Sequence, residues 1–235
     1  MSYGYNVSIA ARAAGSDRAA FIRRTYAHLA GAILAFIGIE AFLLKSVGAE
    51  QVLGILGSSR LSWVFVMVAF IAAGWIARVW AHSDTSPGLQ YLGLGLYIVA
   101  QAVIMLPLLY IASRLSDPTV IPTAGILTLS VFGGLTVSVF VTKKDYSFMG
   151  PILGMASFLA LGVIVAAYFI GFGLGLLFSF AIVALACGYI LYDTSNVLLH
   201  YRTDQHVGAA LELFASVALL FLYVLRILIE LNGRD

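Results

Sequence analysis

"GAALELFASVALLFLYVLRIL", Gly208 to Leu228, is long and apolar enough to cross a bilayer, yet it carries Glu212, Ser216, Tyr223 and Arg226. With Leu219 and Glu230, these positions advance by four, three, four, three and four residues, which lays them along one seam of a helix. A polar side chain against lipid is costly. A seam that is polar from end to end therefore belongs in the middle of a bundle and not at its rim. The competing arrangement has Arg226 and Glu230 snorkelling at one interface and Glu212 at the other, with Ser216 and Tyr223 merely packing. The central position is the favoured one.

The rest of the chain provides the bundle. Of 235 residues, 62% are hydrophobic and 10% charged, and the mean hydropathy is +1.01. A soluble domain of this length needs far more polar surface, so the expected class is an all-α polytopic membrane protein. Seven apolar stretches stand at about Tyr26–Leu44, Leu61–Ala81, Leu89–Ile111, Ile121–Val141, Phe148–Ile170, Phe172–Leu199 and Val207–Leu231. The expectation is seven transmembrane helices with the last one central. The fifth and sixth are separated only by the glycine-rich "YFIGFGLG" turn, Tyr168 to Gly175, without which the count would be six. The domain reading is a cytoplasmic segment over residues 1–25 and one membrane domain over 26–232. Residues 1–25 are polar and no A-x-A pattern closes the first apolar run, which reads as a retained span. The glycine positions Gly93 and Gly95, Gly133–Gly134, and Gly171, Gly173 and Gly175 are those where close helix packing is expected.

Lys and Arg set the orientation. With the N-terminus cytoplasmic, Arg12, Arg18, Arg23, Arg24, Arg78, Lys143, Lys144 and Arg202 lie inside. Lys45, Arg60, Arg114, Arg226 and Arg234 lie outside, a division of 8 against 5. Short loops and the absence of a glycosylation-rich extension point to a bacterial inner membrane, and the "NVS" at Asn6 would be cytoplasmic. The net charge of +2, with no basic patch, points away from nucleic acid. The single cysteine, Cys187, rules out an intrachain disulfide framework.

The sixth span ends in "ACGYILYDTSNVLLHY", Ala186 to Tyr201, where Tyr189, Asp193, Asn196 and His200 share one helical face. That stripe is either the solvated end of the helix or an inward-facing polar surface, and spacing alone leaves both open. Topology brings Arg78, Asp193, Glu212 and Ser216 to the cytoplasmic third of the membrane. One arginine and two carboxylates at one depth can neutralise each other, and protonating an acid or supplying a cation would release them. Asp193, Glu212, Ser216 and Asn196 are thus the candidate cation- and pH-sensing residues, with Arg78 as latch partner. Calcium asks for several oxygens, and this set offers only a partial shell around Asp193, enough for weak, transient binding. Glu40 is the other isolated acid, expected to snorkel with Lys45 about one turn away.

No catalytic pattern is present. His28, His82, His200 and His206 show no zinc spacing. The only lysines, Lys45, Lys143 and Lys144, leave the seventh span without a Schiff-base residue. Asp193 has no second intramembrane aspartate, and neither a G-x-S-G nor a G-x-x-x-x-G-K stretch occurs. An enzyme is not expected, and neither is a resident cofactor.

"FIRRTYAHLAGAIL", "FVTKKDYSFMGPIL" and "GYILYDTSNVL", together with the last span quoted above, resemble the Bax inhibitor (transmembrane BAX inhibitor motif) family over Phe21 to Leu228. The resemblance implies seven helices, the last surrounded by the other six. It also implies a pH-dependent calcium leak sensed by a pair of aspartates near the cytoplasmic side. The first aspartate falls on Asp193 and the second on Ser216, a departure from the family pattern, and Glu212 one turn earlier is the candidate substitute. An arginine late in the second span pairs with the aspartates in members that close, and Arg78 stands there. The replacement at Ser216 is similar to a bacterial branch that regulates a membrane-anchored ATP-dependent protease. A non-conducting regulator with a membrane protease partner is accordingly the alternative function.

Overall fold

A computed structural model describes residues 9–48, 51, 60–83, 86–115 and 117–233, the side chains of 60–63 and 115 excepted. Asn6, Arg234 and the side chain of Arg60 lie outside the described residues. Within them the chain forms seven α-helices: α1 (Gly15–Ser46), α2 (Arg60–Ala81), α3 (Pro87–Leu115), α4 (Val120–Thr142), α5 (Met149–Ile170), α6 (Leu176–Leu199) and α7 (His206–Asn232). All seven are long and apolar enough to cross a membrane. One turn of 3-10 helix, Ala10–Arg12, precedes them.

Helix ends follow local chemistry. Gly171 adopts φ +88 and closes α5, and the glycines up to Gly175 carry the chain over to α6. Lys143 closes α4 in the left-handed region at φ 51, its N–H donating to the Val139 carbonyl. The first helix begins at Gly15, well before the apolar run at Tyr26, because Asp17 suits the positive end of the helix dipole and the residues after it are good helix formers. Arg18, Arg23 and Arg24 are therefore helical and do not belong to a free tail.

The bundle has a proximal end, where α1, α3, α5 and α7 begin, and a distal end, where they finish. The α7 helix runs through the middle, against α6, α1, α4, α3 and α2. From Val207 to Leu213 every residue except Glu212 is buried. One implied feature is corrected. α5 packs chiefly against α6 on the outside, so α7 is enclosed by five helices and not six. α5 is apolar nearly all round and has no polar seam to hide, so lipid can cover it without penalty. The α2–α3 hairpin packs backbone to backbone: a Cβ at Gly93 would lie 2.5 Å from the Ala77 carbonyl oxygen and 2.6 Å from the Ala81 nitrogen. Only glycine fits there.

The segment before α1 is tied back to the bundle. Ala10 N–H donates to the Tyr201 carbonyl at 2.8 Å, Ile9 and Arg202 form an isolated antiparallel bridge, and Arg18 Nη2 donates to the Leu198 carbonyl at 3.2 Å.

Candidate functional site

Asp193 lies on the buried face of α6, 6% exposed, and points at α7. Ser216 Oγ–H donates to its Oδ2 at 2.5 Å. One turn closer to the proximal end, the Arg78 Nε–H of α2 is shared by both Glu212 oxygens, at 3.1 and 3.0 Å. The Arg78 guanidinium lies 5.2 Å from the centre of the Tyr97 ring of α3, a cation–π contact. The guanidinium thus takes Glu212 and leaves Asp193 to a hydroxyl.

Both pairs face one cavity of about 650 Å³, lined by α2, α3, α6 and α7 with Ser157 of α5. Its polar wall holds Arg78, Tyr97, Gln101, Ser157, Tyr189, Tyr192, Asp193, Asn196, Tyr201, Glu212 and Ser216. From Glu212 to Leu222, both lining residues, α7 rises about 15 Å. The cavity therefore spans a large part of the bundle. The sixth-helix stripe resolves towards the interior: Tyr189, Asp193 and Asn196 all line the cavity, and Tyr189 shares a 2.9 Å hydrogen bond with Ser157. His200 turns away and bonds Asp145 of the α4–α5 loop at 3.1 Å.

The seventh-helix seam divides. Glu212, Ser216 and Leu219 line the cavity, whereas Tyr223 packs edge-on to Phe178 with ring centres 6.1 Å apart. Arg226 Nη2 donates to the Leu174 carbonyl at 2.5 Å and so clips the α5–α6 turn to the distal end of α7. Glu40 corrects another expectation. It does not snorkel to Lys45: it is 4% exposed, on the face of α1 that packs inward, and neither oxygen has a hydrogen-bond partner. Lys45 is exposed. Five steps along a helix amount to well over one turn, which puts the two side chains on different faces.

Sequence reasoning missed Tyr97, Gln101, Ser157, Tyr192 and Tyr201. Tyr97 and Gln101 stand one turn apart in α3, and a glutamine mid-span was the available signal. Tyr201, in the α6–α7 connection, stacks on His82 with ring centres 6.1 Å apart, and burial first, then the nearby acids, hold its hydroxyl well above the usual phenol range. It borders the cavity as a neutral donor. His82 Nδ1–H in turn donates to the Arg78 carbonyl at 2.9 Å.

Calcium requires about six to eight oxygens. The cavity offers one unshared Asp193 oxygen, the Asn196 amide and the tyrosine hydroxyls. Among the described residues no three His, Cys, Asp or Glu side chains converge as a metal-holding group.

Seven membrane-length helices in one bundle, with a polar cavity among them, define a polytopic integral membrane protein. The family model described as "Inhibitor of apoptosis-promoting Bax1" matches residues 18–233. The chain belongs to this Bax inhibitor family. It is 29% identical to the BI1-like protein of Arabidopsis thaliana over 217 residues, 88% of this chain and 79% of that one. With Protein LIFEGUARD 4 of the same plant the figure is 28% over 214 residues, 88% and 83% of the two chains. An uncharacterized protein of Campylobacter jejuni is 30% identical over 241 residues, 93% and 92% of the two chains.

Proposed function

We propose that this protein is a pH-sensitive cation leak pathway, with calcium as the permeant ion, gated near the cytoplasmic side of a bacterial inner membrane. The observation that carries the reading is the meeting of the Arg78–Glu212 ion pair and the Asp193–Ser216 hydrogen bond on one polar cavity. In the closed arrangement the guanidinium neutralises Glu212 and occupies the proximal part of the cavity wall. Protonating one of the two acids, or supplying a cation, releases the partner which that acid holds. Asp193, which accepts from Ser216, stands on the same cavity as an alternative partner for a freed guanidinium or for a cation. The orientation, with the N-terminus inside, rests on the distribution of Lys and Arg. The bacterial setting draws on the Campylobacter relative.

The test is calcium flux from liposomes holding purified protein. Glu212→Gln breaks the ion pair and should raise flux and flatten its pH dependence. Asp193→Asn removes the carboxyl from the cavity wall and should lower flux. No change from either variant overturns the gate.

A second reading has one observation in its favour. Asp193 bonds to a hydroxyl where the family pattern puts a second acid. A site without a proton-sharing carboxyl pair suits a protein that conducts nothing and regulates a membrane-bound ATP-dependent protease. Co-purification from native membrane separates the two: a stoichiometric protease partner with no flux from the pure protein selects the regulator.

A further inference from the structure

Among the described residues, Asp193 and Glu212 face the cavity and the other carboxyls lie near helix ends or in loops, with one set apart. Glu40 continues the inward face of α1 formed by Phe21, Thr25, Leu29, Ala32 and Phe36. The Phe36 ring meets Phe214 of α7 with centres 6.0 Å apart. One turn further, about 6 Å along the axis, Glu40 is level with the middle of α7. It does not line the cavity. At 4% exposure, neither of its oxygens has a hydrogen-bond partner.

A buried carboxylate needs compensation from donors or from a cation. On α1 itself Lys45 is exposed and lies beyond the turn that carries Glu40. The other titratable groups of α1, from Asp17 to His28, lie three or more turns back, towards the proximal end. α1 packs chiefly against α3 and α7, and α4, which meets it at Tyr26–Phe140, has no titratable side chain. On α3, Tyr97 lies under Arg78, and Arg114 stacks on Tyr110. On α7, Glu212 is paired with Arg78 and Arg226 is bonded to Leu174, while Tyr223 packs on Phe178 and Glu230 is at the distal end. A metal ion would need several further oxygens, and among the described residues Glu40 belongs to no metal-holding group. A proton is the one ligand that neutralises a lone carboxyl without a coordination shell.

We propose that Glu40 is a membrane-buried proton-binding site, separate from the cavity, occupied by a proton when the bundle is packed. The assignment stands whether or not the cavity conducts. A hydrophobic carbodiimide such as dicyclohexylcarbodiimide reacts with carboxylic acids in an apolar setting. The acid's O–H adds across one C=N bond, and an acyl shift from oxygen to nitrogen leaves an N-acylurea that contains the whole reagent. The full-length protein in lipid nanodiscs, treated at neutral pH and mapped by mass spectrometry, should carry this adduct on the Glu40 peptide. A water-soluble carbodiimide should leave that peptide unmodified. Glu40→Gln should abolish the adduct there without altering labelling of the Asp193 peptide. The infrared C=O stretching band of a protonated carboxylic acid should weaken in the same variant. An unlabelled Glu40 peptide in wild-type protein, or equal labelling by the water-soluble reagent, would overturn the assignment, as would an unchanged infrared band in a folded Glu40→Gln variant.

Discussion

Arg78 and Glu212 are bound to each other across two helices, and each is the other's main compensation within the bundle. Arg78→Gln leaves a partly buried carboxylate short of its cation and should cost about 1–3 kcal/mol. Adding Glu212→Gln removes the stranded charge and should recover part of that loss, so the double variant melts above Arg78→Gln alone. Thermal unfolding in detergent reads both, and additive losses would show that the pair is uncoupled. Ser216→Ala takes away the hydroxyl that Asp193 accepts from and should also destabilise, by about 1–2 kcal/mol. These residues were legible in the sequence because they interrupt apolar helices at helical spacing. Which acid the arginine would choose was not legible, since side-chain reach between α2, α6 and α7 depends on how the helices cross. Glu40 was misread for a related reason: local spacing names a neighbour in sequence, and the packing of α1 turned the side chain inward.

At the scale of elements, glycines separate into two kinds that look alike in sequence. Gly93 lies against the α2 backbone, and Gly93→Ala forces the hairpin apart, an overpacking cost of about 1–3 kcal/mol. Gly134 has open space around its Cβ position, so Gly134→Ala should be neutral or stabilising by up to about 1 kcal/mol. A comparison of the two melting temperatures checks the distinction. Gly188 and Gly208, absent from the expected packing set, do make close approaches, to Leu153 and to His82 with the Ala81 carbonyl. The α4–α5 loop is a second element with a readable device. Ser195 Oγ accepts the Tyr146 N–H at 2.9 Å. The Ser147 amide first, and His200 next, hold the Asp145 carboxyl at about 2, below its ordinary 3.8. A carboxyl lowered in this way adds stability that is fully present above the ordinary value and is lost as pH falls through about 2. In a His200→Gln background, which removes the histidine's own charge change, the Tm difference between Asp145 and Asp145→Ala should be constant above about pH 5. It should shrink towards zero near pH 2. The pair is half exposed, so the difference is small.

For the whole molecule, composition and hydropathy carried the seven-helix class because a bilayer demands long apolar segments and little else. The boundary between α5 and α6 was legible through its glycines, whereas the start of α1 was not, because polar residues hide a helix that hydropathy does not detect. That α5 stands outside while α7 stands within follows from the polar seam of α7 and the absence of one on α5. Orientation has its own test. In a Cys187→Ser background, Lys144→Cys should react with an impermeant maleimide only after the membrane is opened, and Asp117→Cys should react in sealed, right-side-out vesicles. The reverse pattern overturns the N-inside assignment. The enclosed helix is also the last of the seven that the ribosome delivers. Until it arrives, Arg78 and Asp193 enter the bilayer without Glu212 and Ser216, and the docking place of the first segment, at Tyr201, is still being made. Five helices must wait around an empty axis, so chains cut short after Leu199 should remain with the insertion machinery or be cleared by membrane proteolysis, and no stable six-helix intermediate should accumulate.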